Sequence, residues 1–512
     1  MDERRAGDGF RAPGRTAVAV LVGLAVGKLL IHFLTNGNYG YFRDELYYIA
    51  CSDHLAWGYV DQPPLSIAFL AATRAVLGDS IFAVRLPVVL AGALCIVLTG
   101  LLARRLGGGR YAQGLAALAY VTTATTLAMS SFFSMNAFDL LFWLACMHIV
   151  VQLLQSGDTR WWLLLGAVAG VGMLNKYSVA FGAFGLVAGI ALTPSRRLLL
   201  SGRLLAGGVL AMLIFLPHLW WEVANGVPTA EFIRNATAYK IVAMPPHAFM
   251  AAQVVENNPF TAPLWLGGLG YLLFAPAVRR FRPLGLMYIV VLLIFLLQRA
   301  KPYYLAPAYP ALLAEGAVAA ERLRRWLRVA LPIWLVVGGV IVGAMAIPAL
   351  PPATYLRVAR QLGVKAPQEE RGHTAEMPQV LADRFGWENM TATIARVYHA
   401  LPPEQRARAA ILAGNYGEAA AVDFFGPRYG LPKAISGHNN YWLWGPRGAT
   451  GEVVIAVGVP KTDLDKYFAA VEQADTIVSP YALPMETNLP VYVCRDLRIP
   501  IEQAWPLLKH FI

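Results

Sequence analysis

Of the chain's 512 residues, 57% are hydrophobic and only 14% charged, whereas about a quarter of residues carry charge in soluble domains. Its formal net charge of +12 raises nucleic acid as a partner, but the arginines gather in short loops between apolar runs instead of forming a basic face. That is the positive-inside pattern of a polytopic helical membrane protein, so a nucleic-acid partner is not expected.

In chain order, Arg4, Arg5, Arg11 and Arg15 precede a first apolar run at 16–34 that lacks a small-residue cleavage site. This run is expected to be a retained span with its start in the cytoplasm. Runs long enough to cross, at roughly 20 residues per span, recur to about residue 349. They fall near 84–103, 111–129 and 138–154, followed by a shorter pair, 161–174 and 179–192, hinged at Asn175, Lys176 and Tyr177. Further runs lie near 204–219, 263–278, 284–297, 304–319 and 329–347. Placing every arginine-dense loop on one side gives about 11 transmembrane helices and an external carboxyl terminus.

Residues 1–349 are thus expected to form a transmembrane domain, with an outer loop at about 35–80 and an amphipathic piece at 66–77. Pro351, Pro352, Pro367 and the charged run 368–371 mark a linker. A C-terminal soluble α/β domain, extracytoplasmic, is expected over 350–512, with strands at 409–413 and 453–457 and a helix at 463–474. Cys95 and Cys146 lie in apolar runs, whereas Cys51 and Cys494 lie in polar ones and could form a disulfide in an oxidising compartment. No His/Cys spacing suggests a structural metal site.

Chemistry concentrates in the first outer loop, where Arg43, Asp44 and Glu45 stand together and Asp61 precedes Pro63 and Pro64. On a helix, Asp44 shares a face with Tyr47, Tyr48 and Cys51, while Glu45 points about 100° away. Asp44 then suits a cavity and Glu45 suits fixing the loop; both acids could instead cap a short interfacial helix. The proline pair holds Asp61 at a defined place. Asp139, at the outer end of its span, is expensive unless paired or facing water, or else caps a helix. Lys176, Arg299, Lys301, Tyr303 and Tyr304 place cations and phenols on the same outer face and could bind a phosphate. Snorkelling is the other account of Lys176, and His32 and His148 are expected to be packed side chains.

The stretches FRDELYYIA, GYVDQPPL, SMNAFDLLFW, WWLLLGAVAGVGMLNKYS and AKPYYLAPAYP follow one another in this order. Together they resemble the bacterial branch of the dolichyl-phosphate-mannose protein mannosyltransferase family (glycosyltransferase family 39-like), which includes the lipid A aminoarabinose transferases, over roughly 39–320. The resemblance implies the GT-C fold, catalysis in the first outer loop, and inverting transfer from a polyprenyl-phosphate sugar donor. The acceptor would be a hydroxyl of a lipid, glycan or protein outside the cytoplasmic membrane. It places the catalytic acid at Asp44, with Glu45 and Asp61 positioning substrate or holding a divalent cation. Lys176, Arg299, Lys301, Tyr303 and Tyr304 become the donor-phosphate set, and Arg43, Tyr47 and Asp139 further substrate-site candidates. Where aminoarabinose transferases carry a lysine before the proline pair, this chain has Gln62, one phosphate-binding cation fewer. The rival is a transporter or flippase with membrane acids as a relay, although the acids and cations gather at one face and not at the midplane. A receptor reading rests only on GNYGEAAAVDFF and SGHNNYWLWG as a small binding cleft.

Overall fold

In lipid every backbone N–H and C=O must be satisfied internally, which apolar runs of roughly 20 residues achieve as helices. The computed structural model describes residues 14–242, 244–364, 366, 370–371 and 375–512; Arg4, Arg5, Arg11 and Pro367 lie outside them. Among the described residues, six helices are long and apolar enough to cross a membrane: Arg15–Thr35, Ile81–Arg105, Met135–Ser156, Gly202–Ala224, Pro276–Leu297 and Arg325–Ala346. A bent pair, Ser178–Ala191 and Pro194–Leu200, makes up to seven if it is one span. Length and composition therefore secure six or seven of the expected 11. The run near 111–129 is divided into helices Arg110–Val121 and Ala124–Met129, and the pair around Lys176 into Trp161–Met173 and Ser178–Ala191. The helix Arg325–Ala346 exposes Val329, Ile333, Val336 and Val340, as a lipid-facing stripe does.

The chain divides into two units. The first comprises the described residues of Met1–Gly37, Phe82–Leu219 and Ala243–Leu350. Its core is helical and draws on Trp143, Trp162, Trp265, Met287 and Leu312. Close approach of two helices, Ala262–Phe274 and Tyr309–Ala320, depends on Gly268 and Gly316: a Cβ on either would strike the backbone of the other helix, at Leu312 O or Leu264 O. Small residues at such crossings let helix backbones pack in lipid. His32 lies between Lys28 and Asn36 on one helix face, and His148 is bonded to Leu98 O; both are packed side chains.

The second unit gathers three separate pieces: Asn38–Ile81, Trp220–Val242 and Pro351–Ile512. The carboxyl-terminal stretch thus forms one compact unit with residues 38–81. Its four-stranded sheet has the order β1-β2-β4-β3, with β1 (Ala409–Ala413), β2 (Val453–Val457), β3 (Phe468–Ile477) and β4 (Leu489–Leu497). β1 and β2 run parallel, while β4 is antiparallel to both β2 and β3. Two expected strands stand at their expected bounds. The expected helix at 463–474 does not: helix Lys461–Tyr467 ends where β3 begins, because Phe468 and the residues after it pair with β4, and sheet pairing overrides an Ala- and acid-rich local preference. Of the charged run, residues 368 and 369 lie outside the described residues, while Glu370 is buried and bridges to Ile241. All four cysteines are free and buried, Cys51 and Cys494 included; no disulfide joins them.

Candidate active site

The helix Arg43–Ser52 starts after Phe42, whose extended backbone (ψ 147°) breaks the helical pattern. Glu45 turns back on this start and its Oε2 accepts the Phe42 N–H at 2.9 Å. Buried, Glu45 caps the helix, which is the loop-fixing role its direction on the helix suggested.

Asp44 points elsewhere. Its side chain is 36% exposed, and its Oδ1 accepts the Tyr416 hydroxyl at 2.9 Å. Asp61 is held in the same manner by the Tyr47 hydroxyl, also at 2.9 Å. The rings of Tyr47 and Tyr416 lie 4.6 Å apart at 34°, so the two acids hang from one pair of packed phenols. Asn440 completes the arrangement: its Nδ2 donates to the Tyr47 oxygen (2.7 Å) and its Oδ1 accepts the Val60 N–H (3.1 Å), which fixes the residue before Asp61.

Arg43 departs from the expectation of a substrate-facing cation. It is buried, and its guanidinium lies 3.7 Å from Asp44, 3.6 Å from Asp383 and 3.9 Å from Glu370. Burial alone would lower its pKa, but Asp383, Tyr416, Asp44 and Glu370 outweigh that and raise it. Helix Tyr416–Phe425 packs on it so closely that a Cβ at Gly417 would strike the Arg43 stem. Beneath lie Glu418 and Glu486, both buried. Burial pushes the Glu418 carboxyl up to about 7 and raises that of Glu486, with the charge of Glu418 adding to the rise.

Burial likewise pushes the Asp61 carboxyl up to about 6, with the Tyr47 hydrogen bond opposing and the Asp44 charge adding. An unfolded aspartate releases its proton near pH 3.9. From about pH 4 to pH 6 the folded chain therefore holds a proton the unfolded chain has lost, and this group's contribution to stability declines as pH rises through that window. Asp61→Asn, which keeps an acceptor for Tyr47, is expected to melt higher than the parent at about pH 8, with the gap closing toward pH 4. Melting curves in detergent at both pH values check this; an equal gap at both would rule it out.

In the first unit, Lys176 sits at the break between Trp161–Met173 and Ser178–Ala191. The Asn175 amide donates to Met135 O (3.0 Å), which ties the break to the start of Met135–Ser156. Lys176 Nζ donates to Asn136 Oδ1 (2.7 Å), lies 3.6 Å from Asp139 Oδ2, and stands 4.8 and 5.7 Å from the ring centres of Tyr304 and Tyr303. Asp139 also accepts from Ser178 Oγ. The acid is thus paired within its span, and Lys176, Asp139, Tyr303 and Tyr304 form one cluster. Lys301 leads into the 3-10 turn Pro302–Ala308. Arg299 stands on the exposed turn before it at φ 53°, outside the cluster in the described contacts.

Tyr416, Asn440 and the acids Glu370, Asp383, Glu418 and Glu486 are absent from the set expected from sequence. For Tyr416, Glu418 and Asn440 the signal was the polar, aromatic character of GNYGEAAAVDFF and SGHNNYWLWG, which carries no pointer to a partner 372 residues away. Among the described residues no three His, Cys, Asp or Glu side chains are placed to hold a metal.

ArnT from Cupriavidus metallidurans bound to undecaprenyl phosphate matches with a TM-score of 0.61 over 94% of this chain and 98% of that one, at 16% identity. The protein is therefore a polytopic membrane protein with the GT-C fold. Within that class, residues 61–221 match the profile of the family described as dolichyl-phosphate-mannose-protein mannosyltransferase. Lipid A galacturonosyltransferase RgtD of Rhizobium johnstonii is 26% identical over 260 residues, 49% of this chain and 54% of the relative. Undecaprenyl phosphate-alpha-4-amino-4-deoxy-L-arabinose arabinosyl transferase of Pseudomonas paraeruginosa is 28% identical over 332 residues, 61% of this chain and 58% of the relative. The chain spans little more than half the length of these curated relatives.

Proposed function

We propose that the protein is an inverting glycosyltransferase of the cytoplasmic (inner) membrane that moves a sugar from a polyprenyl-phosphate donor to a hydroxyl of a lipid, glycan or protein acceptor. The observation that carries this is Asp44, a part-exposed carboxylate held by a phenol in a chain of GT-C fold. The names of the relatives favour a lipid A-type acceptor and an undecaprenyl-phosphate donor. Asp44 takes the acceptor proton as that oxygen bonds to the anomeric carbon. The bond from that carbon to the phosphate oxygen breaks, and the phosphate leaves with the electron pair. Already a stable anion, it needs charge and hydrogen bonds more than a proton; Lys176, with Tyr303 and Tyr304 over it, is assigned that task, and Lys301 and Arg299 supplement it. Asp61 positions substrate beside Asp44. The amino terminus is assigned to the cytoplasm and residues 350–512 to the outer side.

Reconstituted vesicles test the reading. Undecaprenyl-phosphate aminoarabinose or galacturonic acid is supplied at the outer face with lipid A, and free carrier phosphate and glycosylated lipid are measured. Release of the carrier together with sugar-bearing lipid is expected. A label that crosses the bilayer still attached to its carrier would replace the transferase by a flippase.

A further inference from the structure

We propose that Tyr416 and Asn440 are positioning residues that hold the two acids of the first outer loop in their working geometry; this rests on Asp44 being the base. Each acid receives one phenol hydroxyl at 2.9 Å, Asp44 from Tyr416 and Asp61 from Tyr47. The Arg43 Nε, 3.7 Å from Asp44, is too distant to hydrogen-bond. Burial raises both phenols well above their usual pKa, so they remain donors wherever the enzyme works.

Each phenol is itself anchored. The Tyr416 N–H donates to His438 Nδ1 (3.3 Å), and the other nitrogen of that ring bonds to Ile512 O (2.9 Å). Burial, with the stacked His510 ring adding, lowers the pKa of His438 and keeps the ring neutral and able to accept. Tyr47 is fixed by the Asn440 amide at 2.7 Å. The carboxyl-terminal piece of this unit thereby reaches Asp44 through the Tyr416 hydroxyl and Asp61 through the Tyr47 hydroxyl that Asn440 holds.

Tyr416→Phe separates the two roles, since it keeps the ring and removes the hydroxyl. A hydrogen bond to a charged group is worth enough that a drop in kcat of roughly 10- to 100-fold is expected, with the donor KM within about twofold. Losing a donor makes the carboxylate harder to ionise, so the acid limb of the rate profile moves to higher pH. A second measurement needs no substrate: carbodiimide labelling of Asp44 in the full chain, read by peptide mass spectrometry between roughly pH 4 and 8, titrates at higher pH in Tyr416→Phe than in the parent. Asn440→Ala, which frees Tyr47, shows the same movement for Asp61. Unchanged labelling profiles in both variants, with lost stability only in Tyr416→Ala, would overturn the proposal and leave the rings as packing. If Asp44→Asn retains transfer, the fault lies with Asp44 as base; if it is inactive while Tyr416→Phe labels and turns over like the parent, only the positioning role fails.

Discussion

Replacing Asp44 by Asn is expected to reduce sugar transfer by roughly 100- to 10,000-fold while leaving insertion and melting temperature close to those of the parent. The amide keeps an oxygen to accept the Tyr416 hydroxyl, so the contact at 2.9 Å need not be lost, and the position is open enough to tolerate the change. Only basicity is removed. Donor binding should persist, because the phosphate is assigned to Lys176 and its aromatic neighbours. Single-turnover assays with matched donor-binding measurements check the pair of outcomes. Transfer within a fewfold of the parent would end the assignment of Asp44 as base, and a melting temperature that fell with the activity would make the residue structural.

Arg43 should behave in the opposite way. Its guanidinium faces three carboxylates at 3.6 to 3.9 Å, two of them on buried residues, Glu370 and Asp383. Arg43→Met leaves those acids without their shared cation. Breaking a buried ion pair by removing one partner costs about 3–5 kcal/mol, a large share of a domain's stability. Loss of folded protein is therefore expected, read as poor yield and a melting temperature lowered by several degrees or more. Arg43→Lys should recover little, since a single ammonium cannot span partners that a planar fork reaches together. A stable Arg43→Met variant would show that the surrounding acids take up protons at little cost.

The contrast between neighbours 43, 44 and 45 shows what the sequence could disclose. Helical geometry alone separates Asp44 from Glu45, because consecutive residues point about 100° apart, and the capping role of Glu45 follows from its place in the first turn. The burial of Arg43 does not follow, because Asp383 and Glu370 are hundreds of positions away and carry no periodic mark. The same holds for Tyr416 and Asn440. Six or seven of the apolar spans and the strands β1 and β2 were legible because short-range pattern decides them. β3 was not, because FAAVEQADTI favours a helix locally and becomes a strand only through β4. Asp139 was marked by the cost of charge in a span and Lys176 by its place at a hinge between two short runs; their pairing with each other was beyond reach of pattern alone.

The three-piece construction of the second unit has a consequence for biogenesis. Asp44 is translated early, but the tyrosine that holds it comes 372 residues later, roughly 20–75 s at usual elongation rates. Throughout that interval the early loop waits without the residue that holds Asp44, so no nascent chain shorter than 416 residues can form that contact.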